Sequence, residues 1–406
     1  MTIGVGGSSA AQALATLQDM TAGAAPIALD EYRQRIARAQ QRMRELGMDA
    51  LYLHAGSSLK YFTGLQWYPS ERMVGALLPA SGELQYIAPW FELGTVQDFM
   101  QLDGPVHSWH EHDSPYALLA GLLQALPRQG GQLVLAVDES APFFTVDGIA
   151  KSCPQVQLVN ASAVTAWCRM RKSAAELALM QRAKDMTLAV QQATASMLYA
   201  GITTTEVQAF IQQAHRKVGA AGSTFCIVLF GAATAFPHGV KEAQTLRDGD
   251  MVLIDTGCAL HGYLSDITRS YVFGTPDARQ RQVWNAEKAA QAAAFAAAQP
   301  GVACGEVDRA ARRQLEQDGF GPGYALPGLP HRTGHGIGLD IHEWPYLVSS
   351  DSTPLAAGMC FSNEPMICVP GEFGVRLEDH FYLTEHGPRW FTQPSHSIDD
   401  PFGLQA

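Results

Sequence analysis

Four carboxylates sit where their chemistry can be read. Asp255 lies in an apolar, β-branched run, Val252-Leu253-Ile254-Asp255-Thr256-Gly257, and Asp266 lies in the return segment Ser265-Asp266-Ile267-Thr268-Arg269. The stretch from Gly257 to Gly262 is turn-like, so the two segments read as a β-hairpin. A turn centred on Leu260 and His261 sets Asp255 opposite Asp266, with Cβ atoms about 4.5–5.5 Å apart on one side. Two facing carboxylates repel, and they call for a shared proton, a base or a cation. A second hairpin stands near the end of the chain, from Cys360 to His380 through Pro370-Gly371. Reflection about Gly371 sets Glu364 opposite Glu378. Two facing acid pairs in matching places point to a shared metal centre.

A nitrogen donor would complete it. The loop from Leu329 to Pro345 carries His331, His335 and His342 among glycines, and His238 follows Pro237. Glycines let the backbone come close to a site. Four carboxylates and one imidazole suit two adjacent divalent ions of hard or borderline character, such as Mn²⁺, Co²⁺ or Zn²⁺. Two ions about 3.5–4 Å apart can share a hydroxide nucleophile and polarise a carbonyl. The remaining histidines could carry protons. The chemistry implied is metal-assisted hydrolysis.

The elements that hold these residues alternate in type. Residues 28–48 have apolar positions at helical spacing and end at Gly47. Short strand patterns and helix-like runs then alternate to about residue 170, which predicts a small α/β domain over 27–170. Residues 1–26, rich in Ala, Gly, Ser and Thr, read as a flexible or lightly helical tail without a signal peptide. Ser173-x-x-Glu176 and Thr203-x-x-Glu206 are capping boxes that start two long helices. From there to about 400 the order is helix, helix, strands, then helix, helix, strands, which predicts an internally duplicated α+β domain over 171–400.

Bulk properties exclude several partners. A net charge of −11, with no basic stripe, argues against nucleic acid and anionic membrane. No apolar run reaches the ~18 residues of a membrane span. The seven scattered cysteines lack CxxC spacing, which predicts buried thiols in a reducing, cytoplasmic setting.

These motifs resemble the pita-bread metallopeptidases: Xaa-Pro dipeptidase (prolidase), aminopeptidase P and methionine aminopeptidase, with creatinase as a metal-free cousin. The matching segments are Asp255-Thr256-Gly257, Ser265 to Arg269, Gly334-His335-Gly336-Ile337-Gly338, His342-Glu343-x-Pro345, Glu364-Pro365 and Arg376-Leu377-Glu378-Asp379. They span residues 174–390. The preceding domain looks like the creatinase-type N-terminal domain, through element order and Leu59-x-Tyr61-Phe62-Thr63-Gly64. The resemblance implies that Asp255, Asp266, His335, Glu364 and Glu378 hold two divalent ions, manganese first and zinc or cobalt next, with Asp266 and Glu378 bridging. It makes Glu364 the general base, and His238 and His342 the substrate-side histidines that steady the intermediate and pass protons. His331 lines the pocket. Arg332 takes a dipeptide's C-terminal carboxylate, a match for a planar guanidinium. Thr268 and Arg376 orient carboxylates, and Arg376 also belongs to the substrate-binding set. The full ligand set sets creatinase-like members aside as an alternative, and the large N-terminal domain sets methionine aminopeptidases aside. The compact hairpin and Arg332 favour an Xaa-Pro dipeptidase over an aminopeptidase P acting on longer peptides. A homodimer is the assembly that the resemblance implies. One departure matters most: Cys368 stands where the family has a tyrosine thought to assist proton transfer, and Met366 replaces a glycine.

Overall fold

The computed structural model describes residues 1–126 and 131–405, and these form two compact units. One comprises Pro26–Arg169; the other combines Met1–Ala25 with Met170–Ala406.

Pro26–Arg169 carries a mixed six-stranded sheet in the order Val106–Trp109, Gln85–Pro89, Gly75–Pro79, Ala50–His54, Val134–Val137, Gln157–Asn160. The central strand, Ala50–His54, is buried along its whole length, as a strand covered on both faces must be. The Leu29–Leu46 helix stops at Gly47, whose φ of 69° is the left-handed conformation that ends helices. The short helix Ser57–Thr63 and the strand Val106–Trp109 lacked a readable period in the sequence.

The larger unit repeats its element order. Helices Ala174–Ser196 and Thr204–Lys217 start at the two capping boxes, with Ser173 and Thr203 as N-caps. A three-stranded antiparallel sheet follows, with Met251–Gly257 between Ile267–Val272 and Phe225–Phe230. Helices Ala278–Ala297 and Cys304–Gln317 then lead to a five-stranded sheet and the Met366–Val369/Phe373–Arg376 hairpin.

The N-terminal segment departs from the expected flexible tail. Residues 1–25 pack on the larger unit: the Thr2 N–H donates to the Gly274 carbonyl at 2.8 Å and the Ile3 N–H to the Asp399 carbonyl at 2.7 Å. Ser9 and Gln12 form a capping box for the helix Ala10–Ala15. Backbone pairing with distant residues fixes this stretch, and composition alone does not record such pairing.

Candidate metal centre

The first hairpin forms, but its register differs from the expected one by two residues. Ile267 pairs with Thr256 and Thr268 with Asp255, so Asp255 faces Thr268 and not Asp266. The turn is His261-Gly262, with φ of 50° and 94°, the two left-handed residues that tight hairpins favour. Leu260 therefore pairs with Tyr263. Because side chains alternate with a period of two, a two-residue slide keeps Asp255 and Asp266 on one face and makes them diagonal neighbours. Gly257, opposite Asp266 in this register, leaves room there: a Cβ on it would lie 1.9 Å from the Ser265 carbonyl.

The second hairpin has the expected register. Met366 pairs with Arg376, and on the other side of the acids Asn363 pairs with Asp379. Glu364 and Glu378 lie in the break between these two ladders, at matching positions. Their N–H groups leave the hairpin and donate elsewhere, Glu364 to the Thr333 carbonyl at 2.9 Å and Glu378 to the Thr268 carbonyl at 3.1 Å, which joins the pair to the His335 and Asp266 segments.

The side chains converge. Asp266, His335 and Glu378 each offer a ligand atom within 4.8 Å of the others. His335 Nε2 lies 3.1 Å from Glu364 Oε1 and 3.8 Å from Asp266 Oδ2. The other ring nitrogen of His335 is 3.0 Å from the Gly336 carbonyl, so Nδ1 carries a proton and the neutral ring presents its lone pair at Nε2. Asp255 Oδ1, Asp266 Oδ1 and Glu378 Oε1 are buried with no hydrogen-bond donor among the described residues. Buried carboxylate oxygens without donors are costly unless a cation takes them. The donor set therefore fits divalent ions.

Electrostatics agrees. Asp266 is held well above the ordinary carboxylate range, by burial first and then by Glu378, Asp255 and Glu364. Glu378 is raised likewise, by burial and by Glu364 and Asp255. Glu364 goes the other way: burial opposes its charge, but when the metal-free His335 ring is protonated, its hydrogen bond from Nε2 and its positive charge prevail and hold Glu364 at about 2. In metal-free protein the cage is thus a set of acids competing for too few protons.

Arg376 ties the cage together. Its Nη2 pairs with Asp255 Oδ2, its Nε donates to Thr268 Oγ1 at 3.1 Å, and its Nη1 donates to the Pro237 carbonyl at 3.0 Å. Thr268 in turn donates to Glu378 Oε2 at 2.7 Å. Of the two roles expected for Arg376, these contacts display the orienting one, and they anchor the segment that carries His238. His342 packs against His335 with ring centroids 4.1 Å apart, and its imidazole is held down to about 4, by desolvation first and then by His335. His331 is turned by a 2.7 Å contact between Nδ1 and the Arg332 carbonyl, which leaves Nε2 buried and unpartnered, and burial lowers its pKa. His238 is exposed and close enough to both to weaken their protonation. The Arg332 guanidinium stacks 4.3 Å over the Tyr346 ring. Cys368 is 2% exposed, is bridged through its backbone to Gly328, and has its thiol pushed up to about 11 by burial. It is packing and offers no proton route at neutral pH.

Sequence reasoning missed two glutamines. Gln191 donates from Nε2 to the carbonyls of Ile254 at 3.0 Å and Ile267 at 2.8 Å, the residues flanking Asp255 and Asp266. Gln291 does the same in the second half, to Leu377 at 3.0 Å and Asn363 at 3.4 Å, the residues before Glu378 and Glu364. Each half thus clamps its acid pair from its long helix. Gln291→Leu leaves those carbonyls without their donor, and we expect it to cost about 1–3 kcal/mol of stability, read as a lowered denaturation midpoint.

Comparison with known proteins agrees with this geometry. Residues 178–385 match metallopeptidase family M24, and residues 35–171 match the creatinase/prolidase N-terminal domain. The chain is 32% identical over 363 residues to a putative dipeptidase, YkvY, of Bacillus subtilis, covering 88% of this chain and 97% of that one. Among solved structures it resembles dipeptidase PepE from Mycobacterium ulcerans, with a TM-score of 0.85, 34% identity, and coverage of 92% and 99% of the two chains. It also resembles a prolidase from Thermococcus sibiricus, with a TM-score of 0.81, 28% identity, and coverage of 89% and 97%. A creatinase-type N-terminal domain precedes a pita-bread domain, and the chain belongs to metallopeptidase family M24.

Proposed function

We propose that the protein is a two-metal Xaa-Pro dipeptidase, cleaving the peptide bond before a C-terminal proline. The observation that carries this reading is the convergence of Asp255, Asp266, His335, Glu364 and Glu378, with donor-free carboxylate oxygens beside a lone pair on His335 Nε2. Bound divalent ions supply Lewis acidity toward the scissile carbonyl and an acidified water. Glu364, ionised at neutral pH, accepts the proton of the attacking water and returns it to the prolyl nitrogen, which lacks an N–H of its own until then. His342 is neutral at neutral pH and presents a hydrogen-bonding imidazole beside His335, and His238, in the turn after Phe236, lies near enough to act on its charge. With Cys368 in place of tyrosine, proton traffic falls to these histidines.

Arg332 supports the dipeptide assignment. It lies close enough to His342 to depress its protonation, and its guanidinium carbon sits 4.3 Å from the centroid of the Tyr346 ring. A planar fork there suits the free carboxylate of a dipeptide. Arg332→Ala is expected to raise KM for Xaa-Pro dipeptides by roughly 10–100-fold, the effect of a charged hydrogen bond, with kcat changed less. An unchanged KM removes that role from Arg332. The reading extends to manganese as the native ion, a homodimer and a cytoplasmic setting. All seven cysteines are free, and among the described residues no helix is long and apolar enough to cross a membrane.

The test is one assay series with Mn²⁺-, Zn²⁺- and Co²⁺-loaded protein. Xaa-Pro dipeptides are cleaved faster than Xaa-Pro-Yaa tripeptides if the proposal holds. Equal or faster tripeptide cleavage makes the protein an aminopeptidase P. Cleavage of creatine and of neither peptide makes it an amidinohydrolase.

A further inference from the structure

Lys184 is a buried cation that the reaction does not use. It lies on the Ala174–Ser196 helix and is 0% exposed. Its Nζ donates to the Leu264 carbonyl at 3.1 Å, two residues before Asp266, and sits 4.8 Å from the centroid of the Phe391 ring. Among the described residues no carboxylate pairs with it: the adjacent Asp185 accepts a hydrogen bond from Gln181. The other buried cations near the cage are matched. Arg269 pairs with Asp379 at 2.7 Å, Lys172 with Glu343 at 2.9 Å, and Arg376 with Asp255. Among the described residues Lys184 has no ion-pair partner: its Nζ meets a carbonyl and an aromatic ring, and the charge of Asp266 acts on it from beyond them.

Charge counting shows what this does. Ion binding displaces the protons of Asp266 and Glu378, and the four carboxylates then ionised give the cage, with Arg376, a net charge of about −3 before the ions are counted. A single divalent ion leaves it anionic, and a second makes it cationic. With Lys184 included, one divalent ion neutralises the region and the second ion enters with no net attraction. Burial leaves the charge poorly screened. Burial also lowers the amine to about 8, against the opposing influence of Cys360 and Asp266, so it remains mostly protonated at neutral pH.

We propose that Lys184 is an affinity-setting counter-charge: it weakens divalent-ion binding at the carboxylate cage and keeps the second ion exchangeable. The inference rests on the metal-centre reading. Its test is stepwise titration of metal-free full-length protein with Mn²⁺ by calorimetry, with chelator competition for the tighter step. Lys184→Met removes the charge and keeps the volume. Lys184→Gln removes the charge and keeps a donor for the Leu264 carbonyl. Both variants are expected to bind the second ion at least tenfold more tightly than the parent. Damage to packing loosens a metal site, so tightening separates charge from structure. Unchanged or weaker binding in folded Lys184→Met overturns the proposal, and so does parent-like binding in Lys184→Gln, which would assign the effect to the hydrogen bond. Parent protein that takes up no Mn²⁺ at all overturns the metal centre itself, an outcome distinct from either.

Discussion

Glu364→Gln is expected to lower kcat for Xaa-Pro dipeptides by at least about 10³-fold, because one substitution removes both a ligand and the group that moves the proton. The side chain lies 3.1 Å from His335 Nε2 and, unlike Asp266 and Glu378, is held low, so it is ionised and able to accept a proton at neutral pH. Asp266 and Glu378 are held high and cannot replace it in metal-free protein. Glutamine keeps the size and can still accept the hydrogen bond from Ser362 Oγ, which sits 3.2 Å from Glu364 Oε1. The fold should therefore persist, with circular dichroism and the melting midpoint close to those of the parent. A variant retaining more than a tenth of parental kcat at saturating metal would assign the base elsewhere, and His342 is the next group to test.

Much of this site was legible because its chemistry is concentrated in residue types that seldom cluster by accident. The second hairpin was readable to the residue, since Gly371 marks its centre and both flanking ladders share one register. The first hairpin was not. A turn at Leu260-His261 and one at His261-Gly262 put the same side chains on the same face, and periodicity cannot tell them apart. Turn chemistry could: Gly262 suits the second left-handed position and His261 tolerates the first. The same slide makes Thr268, not Asp266, the residue opposite Asp255, and so places the Thr268 hydroxyl between Arg376 and Glu378. Other features were illegible for a different reason. Residues 1–25 are fixed by contacts hundreds of positions away, and Gln191 and Gln291 act on backbone carbonyls that no side-chain pattern reveals. Lys184 reads in sequence as one more surface lysine on a helix, and only its burial makes it a counter-charge.

Metal removal should destabilise the protein, and the deficit should grow with pH. Asp266 and Glu378 have folded-state pKa values raised above their unfolded ones. In metal-free protein the unfolded chain therefore releases these protons first as pH rises, and stability is lost from the ordinary carboxylate range up to the raised folded values. Glu364 has the opposite shift, but its contribution is complete above the ordinary carboxylate range. His331, His342 and His380 are all lowered, so they cost stability as pH falls below about 6.5. Taken alone, a metal-free melting curve would mix these signs. The difference between loaded and metal-free protein is cleaner. Those histidine contributions are common to both forms and largely cancel, whereas the ions compete with protons for Asp266 and Glu378 directly. An ion at 100 times its Kd adds about 2.7 kcal/mol to stability, and its affinity rises as the two acids lose their protons. The gap in melting midpoint between Mn²⁺-loaded and chelated protein should thus widen as pH rises from the ordinary carboxylate range through the raised folded-state values of Asp266 and Glu378. Asp266→Asn should shrink both the gap and its slope. A gap that stays constant or narrows over that range would mean that these two carboxylates are not the ones a bound ion neutralises.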